Sequence, residues 1–150
     1  MSWIKITEEN LATYQAGKLV DAMKTKALGD NQQNPIPEAI RVVTAKIRGA
    51  IAAGGYTLDK NASLIPSELE RDAFALVVAV AKPRLNLDLK DDEKTANLKA
   101  LELLDKIAAG DYDVSMPDSP ESQQSAQNSS GCKLVRPARG VPTRNDFDGL

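Results

Sequence analysis

The residue types that carry most enzyme and metal chemistry are scarce in this chain. Its 150 residues include no histidine and one cysteine, Cys132. Histidine-dependent nucleophiles, zinc sites that include histidine and an internal disulfide are therefore excluded. The neighbouring Lys133 can lower the pKa of the Cys132 thiol, but a nucleophile also needs a rigidly held base, and the polar tail supplies none. We expect no catalytic residue and no enzymatic activity.

One loop has the spacing of a calcium site. Four polar residues match ligand positions 1, 3, 5 and 12 of an EF-hand: Asp59, Asn61, Ser63 and Glu70. Position 6 of that loop needs glycine for a sharp turn, whereas this chain has Leu64 there, followed by Pro66 at position 8. The spacing of Ser67 and Glu70 also fits a capping box, which accounts for the glutamate without a metal. We expect neither a metal nor a cofactor.

Two other motifs are better explained by helix ends. Gly54-Gly55 could cradle a phosphate, but phosphate loops place their glycines before a helix, and these follow one. The run Asp91, Asp92 and Glu93 could supply paired carboxylates for acid–base or metal chemistry. An acidic first helical turn is the commoner reason for such a run, because the helix dipole favours negative charge there.

Hydrophobic periodicity predicts an all-α fold, a small bundle of about four helices. The first helix begins at Thr7, whose hydroxyl can cap its first turn, and runs to about Lys26. The second has Pro37 in its first turn and ends at Gly54-Gly55.

The third and fourth predicted helices complete the bundle. The third begins at the Ser67 capping box and is ended or kinked by Pro83. Its residues 73–81 carry no polar side chain, so we expect the third helix to be central and buried on every face. The fourth runs from Asp91 to Gly110.

Two leucines of the fourth helix lie outside its buried stripe. Leu98 and Leu103 do not share the spacing of the core positions. They pack against neighbouring helices of the same chain or contribute to a subunit contact.

The composition changes after residue 113 and divides the chain into three parts. Residues 1–113 form the predicted helical domain, and residues 114–131 are too polar to offset the entropy of ordering, which predicts a flexible linker. Residues 132–150 combine apolar anchors, cations and prolines, which predicts an extended, irregular docking arm. The residues expected to bind a partner are Lys133, Leu134, Val135, Arg136, Arg139, Val141, Arg144, Phe147 and Leu150.

Charge and hydropathy limit the partners further. The formal charge of −2 and an aromatic content of 4% argue against a nucleic-acid binder that relies on net charge or base stacking. No segment has the roughly 20 apolar residues that span a bilayer, and no export signal is evident, so we expect synthesis in the cytoplasm and no membrane contact. For the arm, docking to protein, a merely solvated tail and binding to DNA all remain open.

The order of these elements resembles the Mu-like phage neck family, small helical head-completion or head-to-tail adaptor proteins of tailed bacteriophages. Residues 37–51 are similar to the second helix of that family. Residues 65–69, together with the apolar helix that follows them, are similar to the next part of the family's pattern. Residues 103–112 are similar to its closing helix and glycine turn. The resemblance covers about residues 7–113.

Membership of that family implies a non-enzymatic protein of the virion neck. It implies a homo-oligomeric ring of twelve copies beneath the portal, contacts with portal and other neck or tail proteins, and DNA passing through the lumen. The alternative interpretation is a small helical DNA-associated protein whose basic C-terminal arm grips phosphates. A carboxylate enzyme that uses a divalent metal is a further alternative.

Overall fold

The computed structural model of the protein describes residues 2–14, 17–29 and 33–121. Within these ranges the chain is mostly helical, which confirms the predicted all-α class. The helices are α1 (Glu8–Tyr14), α2 (Gly17–Gly29), α3 (Ile36–Ala53), α4 (Glu70–Arg84) and α5 (Asp91–Ala109). Two short strands are also present, β1 (Trp3–Lys5) and β2 (Leu64–Pro66).

The first predicted helix is two helices. Thr7 caps α1 as expected, because its hydroxyl accepts a hydrogen bond from the Asn10 amide at 3.3 Å. The prediction of one helix to Lys26 is wrong, since α1 ends at Tyr14 and α2 runs from Gly17 to Gly29. Gly17 lies where the two helices meet. Glycine costs about 1 kcal/mol relative to alanine inside a helix, so the sequence favours a continuous helix only weakly at this residue.

Helix α3 follows the prediction closely. Pro37 lies in its first turn, and Gly54 follows its last residue. Gly55 has a φ of 81°, in the left-handed region that glycine adopts without a Cβ clash. The Gly54-Gly55 pair therefore ends this helix.

Helix α4 is the central element and packs against α1, α3 and α5. Residues 73–78 and Ala81 are buried, while Ala79 and Val80 are half-buried. The apolar run thus lies in the core, as predicted, although Ala79 and Val80 keep part of their surface exposed. A helix segment with apolar side chains on every face is stabilised by burial among other elements.

The start of α4 differs from the prediction, whereas its end lies within one residue of Pro83, as predicted. The capping box is not formed: residues Ser67–Leu69 make a single 3-10 turn, and no side chain caps α4. Instead the Ser67 amide donates to the Ser2 carbonyl at 3.3 Å, extending the pairing of the strands. At the other end Pro83 lies inside the last turn, and the helix ends at Arg84.

The two strands form an antiparallel pair that joins the chain's beginning to the segment before α4. Trp3 pairs with Pro66, and Lys5 pairs with Leu64. Three-residue strands are too short to give a clear period-two pattern, so the sequence contained no usable signal for them.

Residues 115–121, here called the return segment, lie against the domain. The Trp3 indole N–H donates to the Ser115 carbonyl at 2.9 Å, and the Glu121 amide donates to the Leu58 carbonyl at 2.8 Å. Pro117 between them is buried. Residues 115–121, predicted as part of the linker, therefore pack on the domain, which reaches at least to Glu121. Residues 122–131 of the predicted linker and the arm at 132–150 lie outside the described residues.

Candidate functional site: contact surfaces and the loop around Arg48

The loop that resembles an EF-hand is built around an arginine. Arg48 projects from α3, is 9% exposed, and is held by three backbone carbonyls. Its guanidinium donates to the carbonyls of Asp59 at 2.7 Å, Asn61 at 3.1 Å and Leu64 at 3.0 Å. The loop carbonyls thus already bind a positive group that belongs to the protein.

The side chains that match calcium ligands are used in turns. The Asp59 carboxylate accepts hydrogen bonds from the amides of Asn61 at 2.8 Å and Ser119 at 3.2 Å. The Asn61 side-chain oxygen accepts from the Ser63 amide at 3.0 Å and its hydroxyl at 2.7 Å. These are Asx turns, which favour the same Asp, Asn and Ser spacing as a metal loop.

Glu70, the last of the EF-hand matches, begins α4 and lines a different cleft with Asn10 and Phe74. Among the residues that the structure describes, no group of acidic or thiol side chains is arranged to hold a metal ion.

Arg48 also links the loop to the chain's first strand. Its guanidinium carbon lies 5.8 Å from the centre of the Trp3 ring, a cation–π distance. The return segment covers the same region, because Ser115 bonds both Trp3 and the Glu68 carboxylate. Burial alone would raise the pKa of Glu68, but the two hydrogen bonds from the Ser115 hydroxyl and amide, each 2.7 Å long, hold that pKa below its ordinary value.

Gly54-Gly55, considered above as a phosphate loop, is a packing point. A Cβ at Gly54 would overlap the carbonyl oxygen of Ile107 and contact the Tyr56 ring. Glycine is therefore required where the end of α3 meets the end of α5.

The acidic run at the start of α5 is divided between solvent and core. Asp91 begins the helix, its side chain is 98% exposed, and its carboxylate lies 3.4 Å from the Lys94 ammonium. Glu93 instead forms a buried ion pair with Lys82 of α4, with both carboxylate oxygens 2.6 Å from the ammonium nitrogen. This pair was not predicted from the sequence, although a lysine directly after an apolar helical run was a signal for it.

A polar cleft of about 560 Å³ lies between α4 and α5. Two carboxylates, Asp72 and Asp92, and two cations, Arg71 and Lys99, line it. Burial raises the pKa of Asp72, and Arg71 opposes that shift. Because the formal charges of these four side chains cancel, the cleft has no net positive potential that would attract an anionic ligand such as nucleic acid.

The two leucines singled out as a possible subunit contact have different surroundings. Leu103 is half-buried and packs against the core, whereas Leu98 is 60% exposed on α5. They lie about 140° apart around the helix. The structure therefore does not bring them into one patch, and of the two only Leu98 is exposed.

The predicted partner-binding residues of the arm all lie outside the described residues, as does Cys132. They are Lys133, Leu134, Val135, Arg136, Arg139, Val141, Arg144, Phe147 and Leu150.

In the described part of the chain, no helix is both long enough and apolar enough to cross a bilayer. Comparison of the chain with protein families, with curated proteins and with solved structures found no match.

Proposed function

We propose that the protein is a structural head-to-tail adaptor of a tailed-phage virion. In this role it forms a ring under the portal, joins capsid to tail, and surrounds the DNA that passes through. It is synthesised in the bacterial cytoplasm and acts without enzymatic chemistry.

The proposal rests on the position in the fold of the three segments that resemble the neck family. The three segments similar to the neck family belong to α3, to β2 and the turn before α4 together with α4 itself, and to the end of α5, and these helices pack on one another. The similarity thus concerns the elements that build the core.

Two separate contact systems support an adaptor role. Leu98 on α5 is a large apolar side chain exposed on the folded domain. The arm, residues 132–150, adds cations and apolar anchors beyond the domain. A ring needs contacts between copies, and attachment to a portal needs a second kind of contact.

The test is the particle mass of the full chain, measured alone and after addition of a purified portal ring from a Mu-like phage. We expect a closed ring of about twelve copies in one of the two conditions. Leu98→Glu should weaken the ring, because it places a charge in an apolar contact. Ala96→Glu is the matched control, since it puts the same charge at an exposed position on another side of α5.

A chain that stays monomeric with and without the portal ring would overturn the proposal. Salt-dependent binding to duplex DNA by that monomer would favour the DNA-associated alternative.

A further inference from the structure

An apolar groove of about 440 Å³ lies between the end of β1, the first half of α3 and the loop before β2. Ile6, Pro37 and Ile40 provide much of its surface. Thr44, which is 6% exposed, also lines the groove and adds a hydroxyl group to its lining. The groove therefore offers an apolar floor with a polar group in it.

Two cationic side chains, Lys5 and Arg41, line this groove. Lys5 is exposed and forms no ion pair with any described residue. Arg41 donates two hydrogen bonds to Glu38, at 2.9 and 2.6 Å, which leaves three of the five guanidinium N–H groups for another acceptor. An apolar floor with unsatisfied cationic donors is complementary to a short peptide that combines an apolar side chain with carboxylates.

The chain contains such a peptide. Residues 146–150 read Asp-Phe-Asp-Gly-Leu, with an aromatic ring between two carboxylates and a leucine nearby. The described chain ends at Glu121, which pairs with Leu58 on the same loop that brings Ala62 to the groove. About 24 residues then separate Glu121 from Asp146, and a chain of that length reaches up to roughly 80 Å. The segment can therefore reach the groove of its own molecule.

We propose that this groove binds residues 146–150 of the same chain. Phe147 lies on the apolar floor, and Asp146 and Asp148 lie beside Lys5 and Arg41. Tethering gives the segment an effective concentration near the millimolar range, which favours the same molecule over a second copy in micromolar solution. The inference does not depend on ring formation, because it concerns the free chain.

Disulfide trapping in the full chain tests the inference. The variant Cys132→Ser, Ala45→Cys, Gly149→Cys places one thiol in the groove and one in the segment. At low micromolar concentration we expect a cross-link within one molecule, seen as a monomer of altered mobility without reductant. The matched control replaces Ala45→Cys by Lys99→Cys, an exposed position on α5, and should cross-link at least about tenfold more slowly, because its thiol lies outside the groove.

Charge reversal provides the second measurement. Lys5→Glu with Arg41→Glu should slow the cross-link about fivefold, as expected for the loss of two exposed ion pairs. Asp146→Lys with Asp148→Lys should slow it similarly, and all four changes together should restore it. Thermal unfolding of each variant checks that the domain is still folded.

Three results would overturn the inference. Equal rates for the groove and control thiols would show that the segment does not bind there. Charge reversals without effect would remove the stated chemistry. Cross-linked dimers in place of monomers at low concentration would identify a second copy as the occupant.

Discussion

At the scale of single residues, Arg48 organises the loop before β2. Its guanidinium binds three carbonyls of that loop, so its removal leaves buried acceptors without donors. The calcium-like spacing of the loop was visible in the sequence, but the arginine that occupies it lies 11 residues before Asp59. No local pattern connects residues that far apart.

Arg48→Met should lower the free energy of unfolding by about 3 kcal/mol, because three carbonyls lose charge-assisted hydrogen bonds. Urea unfolding of the full chain is the measurement. Lys46→Met, two residues earlier in α3 and exposed, is the matched control and should change stability by less than about 0.5 kcal/mol. Equal losses in the two variants would contradict the role of Arg48.

Glu68 gives a prediction for pH. Because its folded pKa lies below the ordinary value of a glutamate, the ionised carboxylate stabilises the fold above that ordinary value, and this contribution disappears as the pH falls through the lower folded pKa. Glu68→Gln should therefore cost about 1 kcal/mol at pH 7 and less at pH 3. Chemical unfolding at both pH values measures the difference, with Glu102→Gln on the exposed side of α5 as the control. A cost that is the same at both pH values would contradict it.

At the scale of elements, the helices of the core follow from periodicity, but their contacts do not. The pattern predicted α3, α4 and α5 and both glycine-ended helix termini. The close approach of α3 to α5 at Gly54 could not be read from it, since a glycine that ends a helix and one that admits a neighbour look alike in sequence.

Two glycine substitutions in and after α3 should have opposite effects. Gly54→Ala forces a Cβ into the Ile107 carbonyl and should destabilise the fold by about 2 kcal/mol. Gly49→Ala places its Cβ in open space within the helix and should stabilise it by about 0.5–1 kcal/mol. Thermal and urea unfolding of the two variants provide the comparison. A Gly54→Ala protein as stable as Gly49→Ala would contradict the described packing.

At the scale of the whole molecule, residues 115–121 belong to the folded domain, which therefore reaches beyond residue 113. The composition of residues 115–121 is that of a linker. Their backbone nevertheless pairs with residues 58–60, and Ser115 donates hydrogen bonds to the Glu68 carboxylate. Local composition measures how little apolar surface a segment can bury. It does not measure the backbone partners that a distant strand or loop supplies.

Truncation locates this boundary experimentally. A chain ending at Glu121 keeps every described contact, so relative to the full chain it should lose only the stabilisation that docking of residues 146–150 adds, about 1 kcal/mol. A chain ending at Val114 loses the return segment, including the Ser115 bonds and buried Pro117, and should be about 3 kcal/mol less stable. Urea midpoints measure both. Coinciding midpoints for the two truncations would mean that residues 115–121 add nothing.

The sequence by itself determined the helical class, the central apolar helix and the glycine stops, because periodicity and turn chemistry act over a few neighbouring residues. Only the tertiary structure placed Arg48 in its loop, paired Lys82 with Glu93, and closed the domain with residues 115–121. Each of these joins residues distant in the chain through hydrogen bonds or buried charge, and such partners are chosen by the packing of the folded chain.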